Sequence, residues 1–387
     1  MTSENSAGRV TRSFLCAFGA ALMVCYWPGI SGPATSPRWA LLATVLPLAL
    51  WFLPAQRITL AHGVGGAFGL WALATYAWSY SPPDTMGAGF KLIVLSAAFC
   101  VGVHIVNMRP LLIGAALGLS MSSIIATFQL RGVAVVPDLA FGTRMPGLFV
   151  NPLLFAEAAA LISVGLIGER LWWLLPLALP GVVIGESRSA VLALIVPFML
   201  RQTRKNLPLA LGLALSAAVA ITVLYYFRPD AFASAQQRLE IWRAVLAHLS
   251  VRGYGLGSYW MAAPQPVAGI HFEHAHNELL ETAFECGIVG TGLLVAFTAI
   301  LMRAAAGTTA ALMLIALIVE CLFAFPLHEP CTAAMGLLCA GHVARNLPDF
   351  GGAFARGRMA LCRWLASRRA VFVFHGSARA SRRLLPL

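Results

Sequence analysis

Apolar residues in this chain come in blocks, not in the alternation of a half-exposed strand or the one-sided stripe of a surface helix. Twelve blocks, at residues 13–30, 39–54, 59–78, 89–107, 110–130, 152–168, 171–185, 189–200, 207–226, 287–302, 308–326 and 332–347, are separated mostly by short polar or Gly/Pro-containing stretches. Most approach the roughly 20 residues of helix that cross a hydrocarbon core. In Leu41-Leu42-Ala43-Thr44-Val45-Leu46-Pro47-Leu48 both alternate positions are apolar, whereas a transmembrane barrel strand alternates apolar and polar over about ten residues. The pattern predicts an all-α chain: a polytopic transmembrane helix bundle of about 12 spans, with a helical loop domain between spans 9 and 10.

Composition points the same way. Of 387 residues, 59% are hydrophobic and 11% charged, against roughly 25% charged in an ordinary soluble domain. The net charge of +12 invites a nucleic-acid reading, but the basic residues sit at block ends and in the tail, so no nucleic-acid partner is expected. Alternate connections separate by charge. Arg9, Arg12, Arg57, Arg109, Arg170, Arg201, Arg204, Lys205, Arg303 and the arginines from Arg345 to Arg383 make eighteen of the 27 basic residues and fall on one side. The positive-inside rule makes that side cytoplasmic and puts both termini there. Arg9 and Arg12 ahead of the first block mimic a signal peptide, but the array of spans behind it makes it an uncleaved first span.

The chain divides into a cytoplasmic N-terminus (1–12), spans one to nine (13–226), an outer loop (227–286), spans ten to twelve (287–347) and a basic cytoplasmic tail (348–387) lying on anionic membrane lipids. The cysteines, at 16, 25, 100, 286, 321, 331, 339 and 362, show no paired Cys-x-x-Cys spacing, so neither a disulfide framework nor a zinc knuckle is predicted.

A 60-residue connection within an economical bundle is a place for function. Trp242, Tyr254, Tyr259, Trp260 and Phe272 predict that 227–286 folds. Residues 235–250 are amphipathic at helical spacing, with Leu239, Trp242, Val245, Leu246 and Leu249 on one face, and Gly253, Gly255 and Gly257 end the helix. Three of the nine histidines follow within His271-Phe272-Glu273-His274-Ala275-His276. Such density raises a metal site, but the spacing matches no zinc motif and no metal is assigned. Asn277 is placed to cap a helix running from Glu278 towards Gly290, with Glu278, Glu281 and Glu285 in its first half. His276 then lies just ahead of the helix N-terminus, where the macrodipole disfavours imidazolium and leaves a neutral ring able to accept a proton.

Arginines supply the second signal. Arg188 sits at the junction of the short seventh and eighth blocks, paired with Glu186 or serving as ligand for an anionic headgroup. Arg238 lies on the loop helix beside Glu240, and Arg144 opens Arg144-Met145-Pro146-Gly147-Leu148-Phe149-Val150-Asn151-Pro152. With almost no carboxylate pairs expected inside the blocks, these arginines and His276 favour an anionic lipid-linked substrate over a proton or sodium relay.

These residues together resemble a family. His276-Asn277, nine residues, then Gly287-Ile288-Val289-Gly290 is similar to the His-[Asn/Ser/Gln], nine spaces, Gly, two spaces, [Gly/Thr/Tyr] pattern of the bacterial O-antigen ligase and polymerase superfamily. Arg144-x-x-Gly147, Ser187-Arg188-Ser189 and Arg238-x-x-x-Trp242 accompany it in order, and Trp78-Ser79 followed by Pro82 also resembles the superfamily, so the resemblance covers about residues 60–345. It implies a multi-pass glycosyltransferase of the bacterial inner membrane whose active site is periplasmic, with an undecaprenyl-diphosphate-linked glycan as donor and no cofactor. In ligases the acceptor is a lipid A core sugar. By the same resemblance His276 is the general base of an inverting transfer, Arg188 and Arg238 hold the donor diphosphate, and Arg144 adds a further phosphate contact. His274, Asn277 and Trp242 are secondary, orienting residues. A repeat-unit polymerase and a pilin oligosaccharyltransferase share this core, and a polytopic transporter is the alternative outside the class.

Overall fold

The computed structural model describes residues 3–54, 57–133, 135–136, 144–149, 151–203, 208, 233–265 and 271–350. Among them are thirteen α-helices and no strand: α1 (Ser3–Val24), α2 (Thr35–Phe52), α3 (Leu60–Ala74), α4 (Pro82–His104), α5 (Arg109–Leu130), α6 (Pro152–Gly168), α7 (Leu175–Gly185), α8 (Arg188–Thr203), α9 (Ala233–Ala247), α10 (Tyr259–Ala262), α11 (Glu278–Ala304), α12 (Thr309–Phe323) and α13 (Pro330–Ala344). Every predicted apolar block that falls within these residues carries a helix. The ninth block, 207–226, and nearly all of the basic tail lie outside the described residues. By length and composition α4, α5 and α11 are able to cross a membrane, and several of the others are shorter apolar helices. The described residues are helical throughout their regular structure, and the apolar character of these helices suits a membrane protein.

The helices begin where proline or a capping side chain lets them. Pro82, Pro110, Pro152, Pro176 and Pro330 occupy first-turn positions, where a missing N–H costs nothing. Asn151 caps α6 by accepting the Leu153 N–H at 2.8 Å. Close packing in the bundle uses small residues. A Cβ on Gly114 would overlap the Cys16 carbonyl, which is how tightly α5 lies on α1, and one on Gly341 would overlap the Phe99 carbonyl between α13 and α4.

Arg38 precedes the block read as starting at residue 39, which would leave it in the connection ahead of that span. Helix α2 begins at Thr35, not at residue 39, and draws the arginine into the bundle, where it is 0% exposed. Its Nη1 meets Glu329 Oε1 at 3.2 Å, while Nη2 donates to the carbonyls of Met23 at 2.8 Å and Leu148 at 3.1 Å. The guanidinium also lies 4.1 Å over the Phe149 ring. Glu329 is 0% exposed as well and precedes the first turn of α13. One ion pair therefore binds the end of α1, α2, the turn ahead of α6 and the start of α13.

The outer loop builds a core of its own. Ile241, Val245, Tyr259, Ala263, Ala275 and Phe284 are buried together, with Trp242, Leu249, Tyr254 and Phe272 packed on them. The expected face of the loop helix is thus half right: Leu239 and Leu246 are exposed, and Ile241 takes the inner position. Gly287 lies inside α11, where the loop gives way to the tenth apolar block. Its φ of 69° and ψ of −174° interrupt the helix. The interruption is paired with the glycine-rich segment: Tyr254 N–H donates to Phe284 O at 3.1 Å, Gly255 N–H to Glu285 O at 2.9 Å, and Ile288 N–H to Ser250 O at 3.2 Å. A Cβ at 287 would overlap the Val251 carbonyl, so both the dihedral and the close approach require glycine.

Removing one partner of the buried pair should leave the other charge stranded. Arg38→Ala or Glu329→Ala is expected to cost about 3–5 kcal/mol, read as a lowered Tm of the purified protein, with Arg38→Met/Glu329→Leu recovering most of it. A single variant melting like wild type would show that the pair does not hold the bundle.

Candidate active site

The His-Asn pair sits at the entrance to α11. Asn277 caps the helix as predicted, accepting the Leu280 N–H at 3.0 Å, and its amide donates to Leu322 O at 3.1 Å. His276 just before it has a φ of 52°, a left-handed conformation that costs a non-glycine residue about 1–3 kcal/mol and persists only where the surroundings impose it. The residues around it do so. The Ala275 N–H donates to Glu281 Oε2 at 2.8 Å, and Trp242 Nε1 donates to Ala275 O at 2.9 Å. Trp242 therefore acts on the histidine segment through its backbone.

The ring of His276 lies against Phe325, with centroids 5.2 Å apart, and its Nδ1 is buried without a hydrogen-bond partner among the described residues. Burial, then the positive charge of Arg238, then His274 lower its pKa to about 4 against an opposing pull from Glu281. Burial and Arg238 thus favour the neutral imidazole, by a different route from the helix macrodipole.

Arg238 reaches the same place from α9. Its Nη1 donates to Phe323 O at 2.6 Å. Burial and the like charge of Arg188 hold its guanidinium below the ordinary value, and Glu157 opposes them. Arg188, exposed at the first turn of α8, is thus electrostatically coupled to Arg238, which is coupled to His276. The serines flanking Arg188 bond to each other at 2.9 Å, and Ser189 donates to Glu157 Oε1 at 3.2 Å. Arg144 does not join them. It is exposed, the Gly147 beside it is clamped by the Gln129 amide, and among the described residues no contact links Arg144 to His276, Arg188 or Arg238.

The loop histidines part company. His271 turns to the edge of Trp260 at 6.2 Å, while His274 stacks on Phe325 at 4.5 Å. His274 Nδ1 is 3.0 Å from Glu281 Oε1, and the same oxygen is 3.1 Å from Nε2 of His328 in the short turn between α12 and α13. Glu278 is 3.7 Å from His328 Nε2 and accepts the Leu327 N–H at 2.8 Å. His274, Glu281 and His328 offer one atom each within 4.8 Å, the spacing of a metal site. The facing atoms, however, already meet one another in hydrogen bonds or ion pairs, which satisfies the cluster through protons.

Two groups escaped the sequence reading. His328 stands far from the loop in the chain, and only its place in a polar turn between apolar blocks marked it. Glu157 and Glu320 correct the expectation that the blocks bury almost no carboxylate pairs: both are fully buried and electrostatically coupled, and neither oxygen of Glu320 has a hydrogen-bond partner among the described residues. Glu157 serves the site through Ser189 and lies close enough to Arg238 to raise it.

No curated protein matches the chain. A family model described as O-Antigen ligase matches residues 173–295, a stretch that contains Arg188, Arg238, Trp242, His274, His276, Asn277 and Gly287 and stops short of Phe325 and His328. That stretch is similar to the O-antigen ligase family, whose members are membrane glycosyltransferase-type enzymes and which the His276-Asn277 spacing also resembles.

Proposed function

We propose that this protein transfers a glycan from undecaprenyl diphosphate to a sugar of the lipid A core, on the periplasmic face of the bacterial inner membrane, without metal or nucleotide. The observation that carries this reading is the coupling of two like charges, Arg188 and Arg238, beside a neutral imidazole. Guanidinium groups bind phosphate oxygens bidentately, so two of them near one imidazole call for a ligand with two phosphates. A diphosphate meets that need, while the apolar helices around it suit a polyprenyl tail.

The acceptor hydroxyl attacks the anomeric carbon opposite the diphosphate. The carbon–oxygen bond to the diphosphate breaks, its electron pair stays on the departing phosphate oxygen, the hydroxyl proton passes to His276, and configuration inverts. Arg188 and Arg238 stabilise the charge that develops on the leaving group. A bound diphosphate also offsets the charge of Arg238 at His276, so the imidazole rises from about 4 towards the neutral range and becomes a better base as the donor arrives.

Purified protein supplied with lipid-diphosphate glycan and lipid A core is expected to transfer glycan in the presence of chelator. Extension of the donor chain in place of transfer to the core would make it a polymerase. His276→Ala should lower kcat by roughly a hundredfold or more, as loss of a general base does. Arg188→Ala and Arg238→Ala should each cost about a hundredfold or more, and wild-type turnover in either removes it from the diphosphate site. The pH profiles should differ: kcat/KM, reporting the free enzyme, keeps its acid limb near pH 4, whereas kcat shows its limb at higher pH. Coincident limbs would refute activation by the donor. His342, beside Ile105 O at 2.6 Å and at the far end of α13 from Glu329, should be replaceable by Ala with transfer intact.

A further inference from the structure

The left-handed backbone at His276 needs something to hold it, and the holder is Glu281. This buried carboxylate binds the Ala275 N–H with one oxygen and faces two imidazoles with the other. It is not alone on its helix: Glu278, Glu281 and Glu285 lie on successive turns of α11 and all three are buried. Three carboxylates so placed cannot all stay charged without a cation among them. Of the two imidazoles, His328 alone is in reach of both Glu278 and Glu281, at 3.7 and 3.1 Å.

We infer that His328 is a positioning residue for glycan transfer: by holding Glu281 it fixes the Ala275 amide, and through it the backbone and ring of His276. The inference rests on His276 being the proton acceptor, and it concerns a residue beyond the stretch matched by the family model. Phe325 belongs to the same device, since one ring carries both His274 and His276 and its own turn ends in His328. The groups facing His328 are Glu278, Glu281 and Glu285 from α11 and His274 from the preceding segment, whose ring centroid is 4.2 Å away.

Charge supports the geometry. Burial pulls the His328 imidazole down, but Glu278 and then Glu281 overcome it and bring the pKa up to about 9 from an ordinary 6.5. A raised folded-state pKa means that the lock is fully present below pH 6.5 and is lost as pH rises through about 9.

The test uses full-length protein in lipid nanodiscs, with His328→Gln, His328→Lys and His276→Ala in parallel. His328→Gln keeps a donor without the charge and is expected to lower kcat roughly a hundredfold, the scale of a misplaced catalytic group, with donor KM unchanged because Arg188 and Arg238 are untouched. His328→Lys restores the cation, recovers most of kcat and moves the alkaline limb above its wild-type place near pH 9. Hydrogen exchange of the segment 274–281 gives a readout that needs no catalysis: it should quicken in His328→Gln, stay slow in His328→Lys, and quicken in wild type between pH 8 and pH 10 beyond the intrinsic rate.

Wild-type kcat in His328→Gln, or a Lys variant as slow as the Gln variant, overturns the inference. If His328→Gln does not fold, the wild-type exchange profile decides: no extra opening through pH 9 overturns it. Transfer that is abolished by chelator and restored by zinc makes the cluster a metal centre and also overturns it. Normal transfer by His276→Ala with exchange as expected sinks the assignment of the base and leaves the lock standing.

Discussion

Two charges fully removed from water hold this molecule's outer end together. The Arg38–Glu329 pair is supported by two backbone carbonyls and an aromatic face as well as by its own attraction, which offsets part of its desolvation although Arg38 Nε and Glu329 Oε2 find no partner among the described residues. The pair matters because of what adjoins it. Glu329 ends the turn that runs from Leu322 through Phe325 to His328, and that turn receives the loop: Asn277 binds its Leu322 carbonyl, Arg238 its Phe323 carbonyl, and both central histidines its Phe325 ring. Fixing one carboxylate in the bundle thus fixes the platform on which His276 stands.

Charge around His276 is divided. Arg238 acts on its imidazole with one sign, and Glu281, held by His274 and His328, with the other. His276 sits between the two fields in a strained backbone, with an unsatisfied Nδ1 and an apolar ring beneath it. None of these features stabilises the resting protein. Strain, repulsion and an orphaned nitrogen concentrated at one spot are the mark of a site whose complement is a ligand.

Much of this was legible in the chain. Blocks of apolar residues located the described helices, because lipid leaves the backbone no alternative to helix, but not their starts: α1, α4 and α11 all begin well ahead of their blocks. The spacing from His276 to Gly287 was readable because it is local: a cap, one helical run, and a glycine forced by its dihedral and by the Val251 carbonyl. What escaped was partnership across the bundle. Arg38 looked like a loop charge because its partner is 291 positions away. Glu157 and Glu320 looked like isolated polar residues in apolar runs, since sequence carries no distance between helices. His328 had no motif around it, and only the fold sets it against Glu281.

The way the turn meets the loop separates what can be exchanged between relatives from what cannot. Its bonds to Asn277 and Arg238 are made by main-chain carbonyls, which any sequence would present there. Its contacts to His274, His276 and Glu281 are made by the side chains of Phe325 and His328. A loop transplanted from a relative would therefore dock but inherit a foreign floor under its histidines. Modules for building hybrid enzymes of this architecture should be cut so that the outer loop travels with residues 322–328.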